Sequence, residues 1–155
     1  MLKITQAESA QQVEEARRLF IEYGQSLGFS LCFQSFDAEL AGLPGDYAPP
    51  SGRLLLAESD GQPAGCVALH RLEDGVCEMK RLYVRPAFRG KKLGLALANT
   101  VIAEARAVGY LRMRLDTIAA SMKEAVAMYR ALGFVEIAPY RPNPIESALY
   151  MELKL

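Results

Sequence analysis

The chain has 155 residues, the length of one domain, and 51% of them are hydrophobic, enough for a core at this size. Its 18 Lys and Arg balance its 18 Asp and Glu, which argues against a general nucleic-acid or membrane-surface binder and confines any basic patch to one place. No apolar run approaches the roughly 18 residues that span a bilayer, and MLKITQAESAQQ lacks the apolar stretch of a signal peptide, so the chain reads as cytoplasmic. Cys32, Cys66 and Cys77 are scattered without a CxxC, and His70 is the single histidine, so each thiol reads as a small buried hydrophobe and no metal site is expected.

In chain order, Leu2 to Thr5 can form a first strand. Ser9 to Gly24 is a helix, with Val13, Ala16, Phe20 and Ile21 near one stripe and Ser9 as its cap. Phe29 to Ala48 is irregular and rich in aromatic residues. It admits a short helix from Ser35 to Ala41 capped by Ser35, followed by the Pro/Gly-rich loop LPGDYAPPSG. Three strands follow, Arg53 to Ser59, Pro63 to Glu73 and Val76 to Val84, joined at Asp60-Gly61 and Asp74-Gly75, a strong hairpin signal.

The third of these strands changes phase. Met79 is apolar at an odd position, Leu82 and Val84 at even ones. One extra residue between Met79 and Leu82, a β-bulge, would reconcile the two; a strand buried on both faces would need none. After Pro86 comes the basic loop RGKKLG, Arg89 to Gly94, and a helix from about Lys92 to Val108 with Leu93, Leu97, Val101 and Ala105 on one stripe. A glycine-bearing turn opening a helix presents free N–H groups and the positive helix end, which suits an anion; a solvated basic turn would look the same in isolation.

Tyr110 to Thr117 alternates as a half-buried strand and should run parallel to the one before the helix. A helix starting from Thr117 or Ser121 and ending at Gly133, a short strand from Phe134 to Ile137, the loop PYRPNP and a last strand from Ala148 to Leu155 complete the single domain, 1–155.

The chain resembles the GNAT superfamily of acyl-CoA-dependent N-acetyltransferases. The family signature Q/R-x-x-G-x-G/A stands as Arg89-Gly90-Lys91-Lys92-Leu93-Gly94, and a second mark, A-x-x-x-Y-x-x-x-G-F, as Ala125, Tyr129 and Gly133-Phe134. The element order resembles the family across the whole chain. The resemblance implies an α+β fold with a mixed, mostly antiparallel sheet of about six or seven strands, flanking helices, and a parallel strand–helix–strand core that binds acyl-CoA. Two positions depart from it: Lys92 replaces the middle glycine, and Met122 stands where the family often has an Asn.

The resemblance further implies acetyl-CoA as co-substrate, no metal, and transfer to the primary amine of a small metabolite or amino-acid-like acceptor. It places the coenzyme pyrophosphate on Arg89, Gly90, Lys91, Lys92, Leu93 and Gly94, and the polarising backbone amides at Leu82, Tyr83 and Val84. Tyr129 matches the general acid. Glu78 matches a general base, expected to carry a raised pKa from partial burial; His70 and a water chain are its rivals. Phe29, Phe33 and Arg141 fall where the family places its acceptor. The alternatives are an acyl-CoA sensor without turnover and a protein or peptide acetyltransferase. Partners are a small-molecule amine, with no nucleic acid and no membrane, and a homodimer is admitted. The resemblance leaves the acceptor unnamed.

Overall fold

A computed structural model describes residues 1–28 and 35–155. Its strands are β1 (Leu2–Gln6), β2 (Arg53–Ser59), β3 (Gln62–Glu73), β4 (Val76–Val84), β5 (Arg112–Ile118), β6 (Val135–Ile137) and β7 (Ala148–Lys154). Its helices are α1 (Ala10–Ser26), α2 (Phe36–Ala41), α3 (Leu93–Val108) and α4 (Lys123–Leu132). The strands form one sheet in the order β1-β2-β3-β4-β5-β7-β6. Every pairing is antiparallel except β4 with β5, the pair joined through α3. This is the α+β architecture the resemblance implied.

Alternation along the strands builds two cores, one on each face. Leu55, Val67, Leu69, Cys77 and Met79 pack with Leu97, Val101 and Ala105 of α3. Leu54, Leu56, Cys66 and Ala68 pack with Ala16, Leu19 and Phe20 of α1 and with Tyr47, which lies in a single 3-10 turn, Gly45–Tyr47. Before the bulge, odd-numbered β4 residues face α3; beyond it, Leu82 and Val84 do so while Tyr83 turns to the α1 side. The bulge itself is Arg81, at φ 61°, where the register jumps from Ala68↔Lys80 to Cys66↔Tyr83. The phase change in the sequence is thus a real insertion, in a strand that is nonetheless covered on both faces.

Gly65 on β3 makes room for this distortion. A Cβ there would lie 2.5 Å from the Tyr83 carbonyl oxygen and 3.2 Å from Leu97 Cδ1, so backbone rather than a flexible side chain would have to give.

Several boundaries shift for local reasons. Ser9 caps α1 as expected, its hydroxyl accepting from the Gln12 N–H while the Gln12 side chain accepts from the Ser9 N–H. Ser35 does not cap α2: its backbone is left-handed and its side chain makes no capping bond. Nor does Thr117 or Ser121 cap α4; Met122 holds that position without a side-chain bond. Tyr110 lies before β5 because its hydroxyl donates to the Ser51 carbonyl at 2.7 Å, anchoring it to the loop ahead of β2.

Candidate active site

The sheet is organised around a parting of two strands. The parallel pairing of β4 and β5 ends at Glu78↔Arg114. From Met79 to Val84 the β5-side edge of β4 therefore has no ladder partner, and the chain opens into a slot of about 90 Å³. Leu82, Leu115, Thr117, Met122, Ala125 and Tyr129 are among its walls. Backbone N–H groups along such an edge are held by the sheet and need no reorganisation to meet a developing oxyanion. Leu82, Tyr83 and Val84 all lie on this segment, although only Leu82 of the three lines the slot.

Tyr129 reaches the slot from the middle of α4. Its ring is buried and meets Phe134 edge-on at 5.6 Å between centroids. Burial pushes its phenol pKa up, and nearby Tyr23 and Asp116 add to the effect, so the group stays protonated. Met122 accepts a hydrogen bond at Sδ from the Thr117 hydroxyl at 3.2 Å; the family's Asn has no counterpart at this position.

The basic loop lies between the end of β4 and α3. Arg89, Gly90, Lys91 and Lys92 are exposed, while Leu93 is buried in the α3 core. Arg89 Nε donates to the Val84 carbonyl at 3.0 Å, tying the loop to the slot. Lys92 is left-handed, φ 59° and ψ 24°, which explains why the family pattern prefers glycine there; a lysine tolerates that backbone at a cost of about 1 kcal/mol. Gly94 has ordinary φ, and a Cβ there would meet only Val84 Cγ2 at 3.8 Å, so nothing in the fold demands glycine. The open space beside it leaves the helix N-terminus approachable by an anion. Gly94→Ala should therefore raise the melting temperature of the free protein by about 2–4 °C through helix propensity. The same change should weaken coenzyme A binding at least about tenfold. Calorimetry with and without ligand reads both.

On the α1 side of the sheet lies a larger cleft of about 540 Å³. Its walls include Glu39, Asp46 and Tyr47, and its floor includes His70, Glu78, Lys80 and Arg141. His70, Glu78 and Lys80 share the floor because each stands at an even position on β3 or on β4 before the bulge. Arg81 turns toward α2, where its Nε and Nη2 both bond the Glu39 carboxylate at 2.9 Å and its guanidinium covers the Phe36 ring. The bulge thereby fixes one wall of the cleft.

Glu78 corrects an expectation. Its carboxylate is fully buried, and burial alone would raise its pKa. The hydrogen bond with His70, the Lys80 charge and the contact with Arg141 outweigh that effect and hold it at about 2. His70 Nε2 lies 2.8 Å from Oε1, the Tyr140 hydroxyl donates to Oε2 at 2.6 Å, and Arg141 Nη2 lies 2.8 Å from Oε1 and 2.7 Å from Oε2. A carboxylate so held is a poor proton acceptor near neutral pH. Arg141 lines this cleft, its guanidinium over the Tyr140 ring. Phe29 and Phe33 lie outside the described residues. Cys66 and Cys77 are buried, and burial raises both thiols, that of Cys77 to about 12.

Sequence reasoning missed Lys80, Asp116 and Asn143. Lys80 had a signal: it shares the parity of Glu78. Asp116 and Asn143 join the slot from β5 and from the loop before β7, positions that spacing does not connect.

A slot at parted parallel strands, with a glycine loop opening the intervening helix, defines an acyl-CoA-dependent N-acyltransferase. The chain belongs to the acetyltransferase (GNAT) family, whose model matches residues 13–134. It is 40% identical over 156 residues to an uncharacterized N-acetyltransferase of Schizosaccharomyces pombe, covering 99% of this chain and 95% of that protein. The fold matches a GNAT-family acetyltransferase of Staphylococcus aureus at TM-score 0.81 and 19% identity, covering 99% of both chains. It also matches the PaiA N-acetyltransferase of Thermoplasma acidophilum in complex with coenzyme A, at TM-score 0.75 and 19% identity, covering 100% of this chain and 99% of that one.

Proposed function

We propose that the protein transfers an acetyl group from acetyl-CoA to the primary amine of a small metabolite or amino-acid-like acceptor by direct attack. The observation that carries this reading is the parting of β4 and β5 beside the basic loop, with Tyr129 on the wall of the opening. The coenzyme pyrophosphate rests on the amides of Arg89 to Gly94, and the pantetheine arm enters the slot. The thioester carbonyl oxygen lies against backbone amides of the Leu82–Val84 segment.

The acceptor enters from the larger cleft. Its neutral amine attacks the thioester carbon, a C–N bond forms, and the C–S bond breaks. Tyr129 donates a hydrogen bond to the departing sulfur. His70 faces the cleft, and a neutral imidazole nitrogen can accept a proton, so we assign His70 as the acceptor of the amine proton. Glu78 is then a positioning residue, holding the imidazole through Nε2.

The test is release of free thiol from acetyl-CoA across a panel of small amines. Turnover of at least one amine is expected, and none with any member refutes the catalytic reading. Acetyl-CoA at about 100 times its Kd should raise the melting temperature by about 5–10 °C. No shift at millimolar ligand would refute the loop assignment.

A further inference from the structure

The slot passes through the sheet from one face to the other. Tyr129 and Ala125 pack with the core on the α3 face, Tyr23 packs against the core on the α1 face, and all three line the slot. Leu27, which caps α1 one turn on from Tyr23, lines it on the same side. Four directions around a thioester carbon held there can then be told apart. In the mechanism proposed above, sulfur lies toward Tyr129, the carbonyl oxygen toward the β4 amides, and the amine arrives from the cleft. The fourth direction, that of the acyl chain, leads across the sheet to the α1 wall.

That wall has little freedom to retreat. The Tyr23 ring meets Tyr83 of β4 edge-on, at 6.1 Å between centroids. Burial raises the Tyr23 phenol pKa against the pull of the nearby Arg81 charge, so the hydroxyl stays protonated beside that guanidinium. Gly24, the next residue, lets α1 lie directly on α2: a Cβ there would stand 3.0 Å from Phe36 Cε2. Phe36 is in turn covered by the Arg81 guanidinium, which two hydrogen bonds tie to Glu39. The last turns of α1 are thus held by β4 and α2 together. The space they close is small, about 90 Å³ in the slot against about 540 Å³ in the cleft. A chain longer than such a space has to displace a packed ring or the backbone behind it.

We propose that Tyr23 and Leu27 close the acyl end of the slot and thereby restrict the donor to short acyl groups, acetyl above all. The inference rests on the acetyl-transfer reading above and names the residues that select its donor. Propionyl-CoA adds one methylene against this wall and butyryl-CoA adds two. Each costs about tenfold or more in a pocket that does not yield.

The experiment compares acetyl-, propionyl- and butyryl-CoA with the best amine of the panel. Thiol release gives kcat/KM, and calorimetry without acceptor gives the Kd of each thioester. The wild type should prefer acetyl-CoA to butyryl-CoA by about 100-fold in kcat/KM, with propionyl-CoA between them. Leu27→Ala and Tyr23→Ala should each shrink that ratio at least about tenfold. The three donors share the whole coenzyme, so a loosened fold weakens them alike and leaves the ratio in place. Leu27→Ala keeps the contact between Tyr23 and Tyr83 and is the milder change. Equal use of acetyl- and butyryl-CoA by the wild type overturns the proposal. So does an unchanged ratio in either variant that folds. If no amine is turned over, the transfer reading fails, and calorimetry decides the wall by itself. Butyryl-CoA binding at least about tenfold more weakly than acetyl-CoA, with a smaller difference in Leu27→Ala, supports it. Equal affinities in the wild type, or no binding of any thioester, overturn it.

Discussion

Tyr129→Phe should lower kcat about 100-fold while leaving the Kd for acetyl-CoA within about twofold. The substitution removes one oxygen and keeps the ring, so the edge contact with Phe134 and the packing of α4 survive. What is lost is the O–H to which the proposed mechanism gives the hydrogen bond to the departing sulfur. The form of the donation follows from acidity. An ordinary thiol titrates near 8.5, and the Tyr129 phenol is pushed above its ordinary value of 10, first by burial and then by Tyr23 and Asp116. Its proton does not pass downhill to a thiolate, so its contribution is a hydrogen bond that strengthens as negative charge reaches sulfur. For the same reason, wild-type kcat should hold on the alkaline side with no fall from ionisation of this tyrosine below about pH 10. Unchanged kcat in Tyr129→Phe would remove the residue from the reaction. Loss of acetyl-CoA affinity in parallel with kcat would recast it as a wall of the slot.

Glu78→Gln should cost about 3–5 kcal/mol of stability, because it leaves the Arg141 guanidinium and the Lys80 ammonium without the buried counter-charge between them. At this chain length that is a fall of about 10–15 °C in melting temperature. The wild type should show the linked pH dependence. The folded-state pKa is depressed to about 2 against an ordinary value near 4.5. The contribution is therefore fully present above about pH 5 and is lost as pH falls from about 4.5 through 2. Its size is about 3 kcal/mol, and it should be missing from the variant. Denaturant titrations of both proteins between pH 2 and 7 measure the difference. If the two stability curves stay parallel across that range, the buried carboxylate is not the titrating group. Turnover separates the two roles considered for Glu78. A general base would impose its own titration on kcat/KM. A positioning carboxylate ionised throughout the neutral range lowers kcat without adding an inflection there.

Much of the fold was legible because its elements are locally encoded. The two Asp-Gly turns mark β2 to β4, the stripe Leu93, Leu97, Val101, Ala105 marks α3, and Gly109 and Gly133 end α3 and α4 in left-handed conformations. The bulge was legible as a change of parity, since a strand can move its apolar side to the other face only by adding or skipping a residue. The basic loop and Tyr129 were legible as motifs.

The sequence by itself thus determined the family and the bulge, each carried by residues close together in the chain, and singled out the basic loop and the tyrosine as candidates. Only the tertiary structure decided the state of Glu78. Its partners come from β3 and from the loop before β7, and the sign of a buried carboxylate's pKa shift depends on whether such partners outweigh desolvation. Tertiary structure also decided the place of Lys80. That residue looked like an ordinary strand cation until β4 parted from β5 on one side and α2 closed the cleft on the other, leaving it between the two cavities. Distances between groups far apart in sequence are set by packing, and the chemistry of the acceptor depends on those distances.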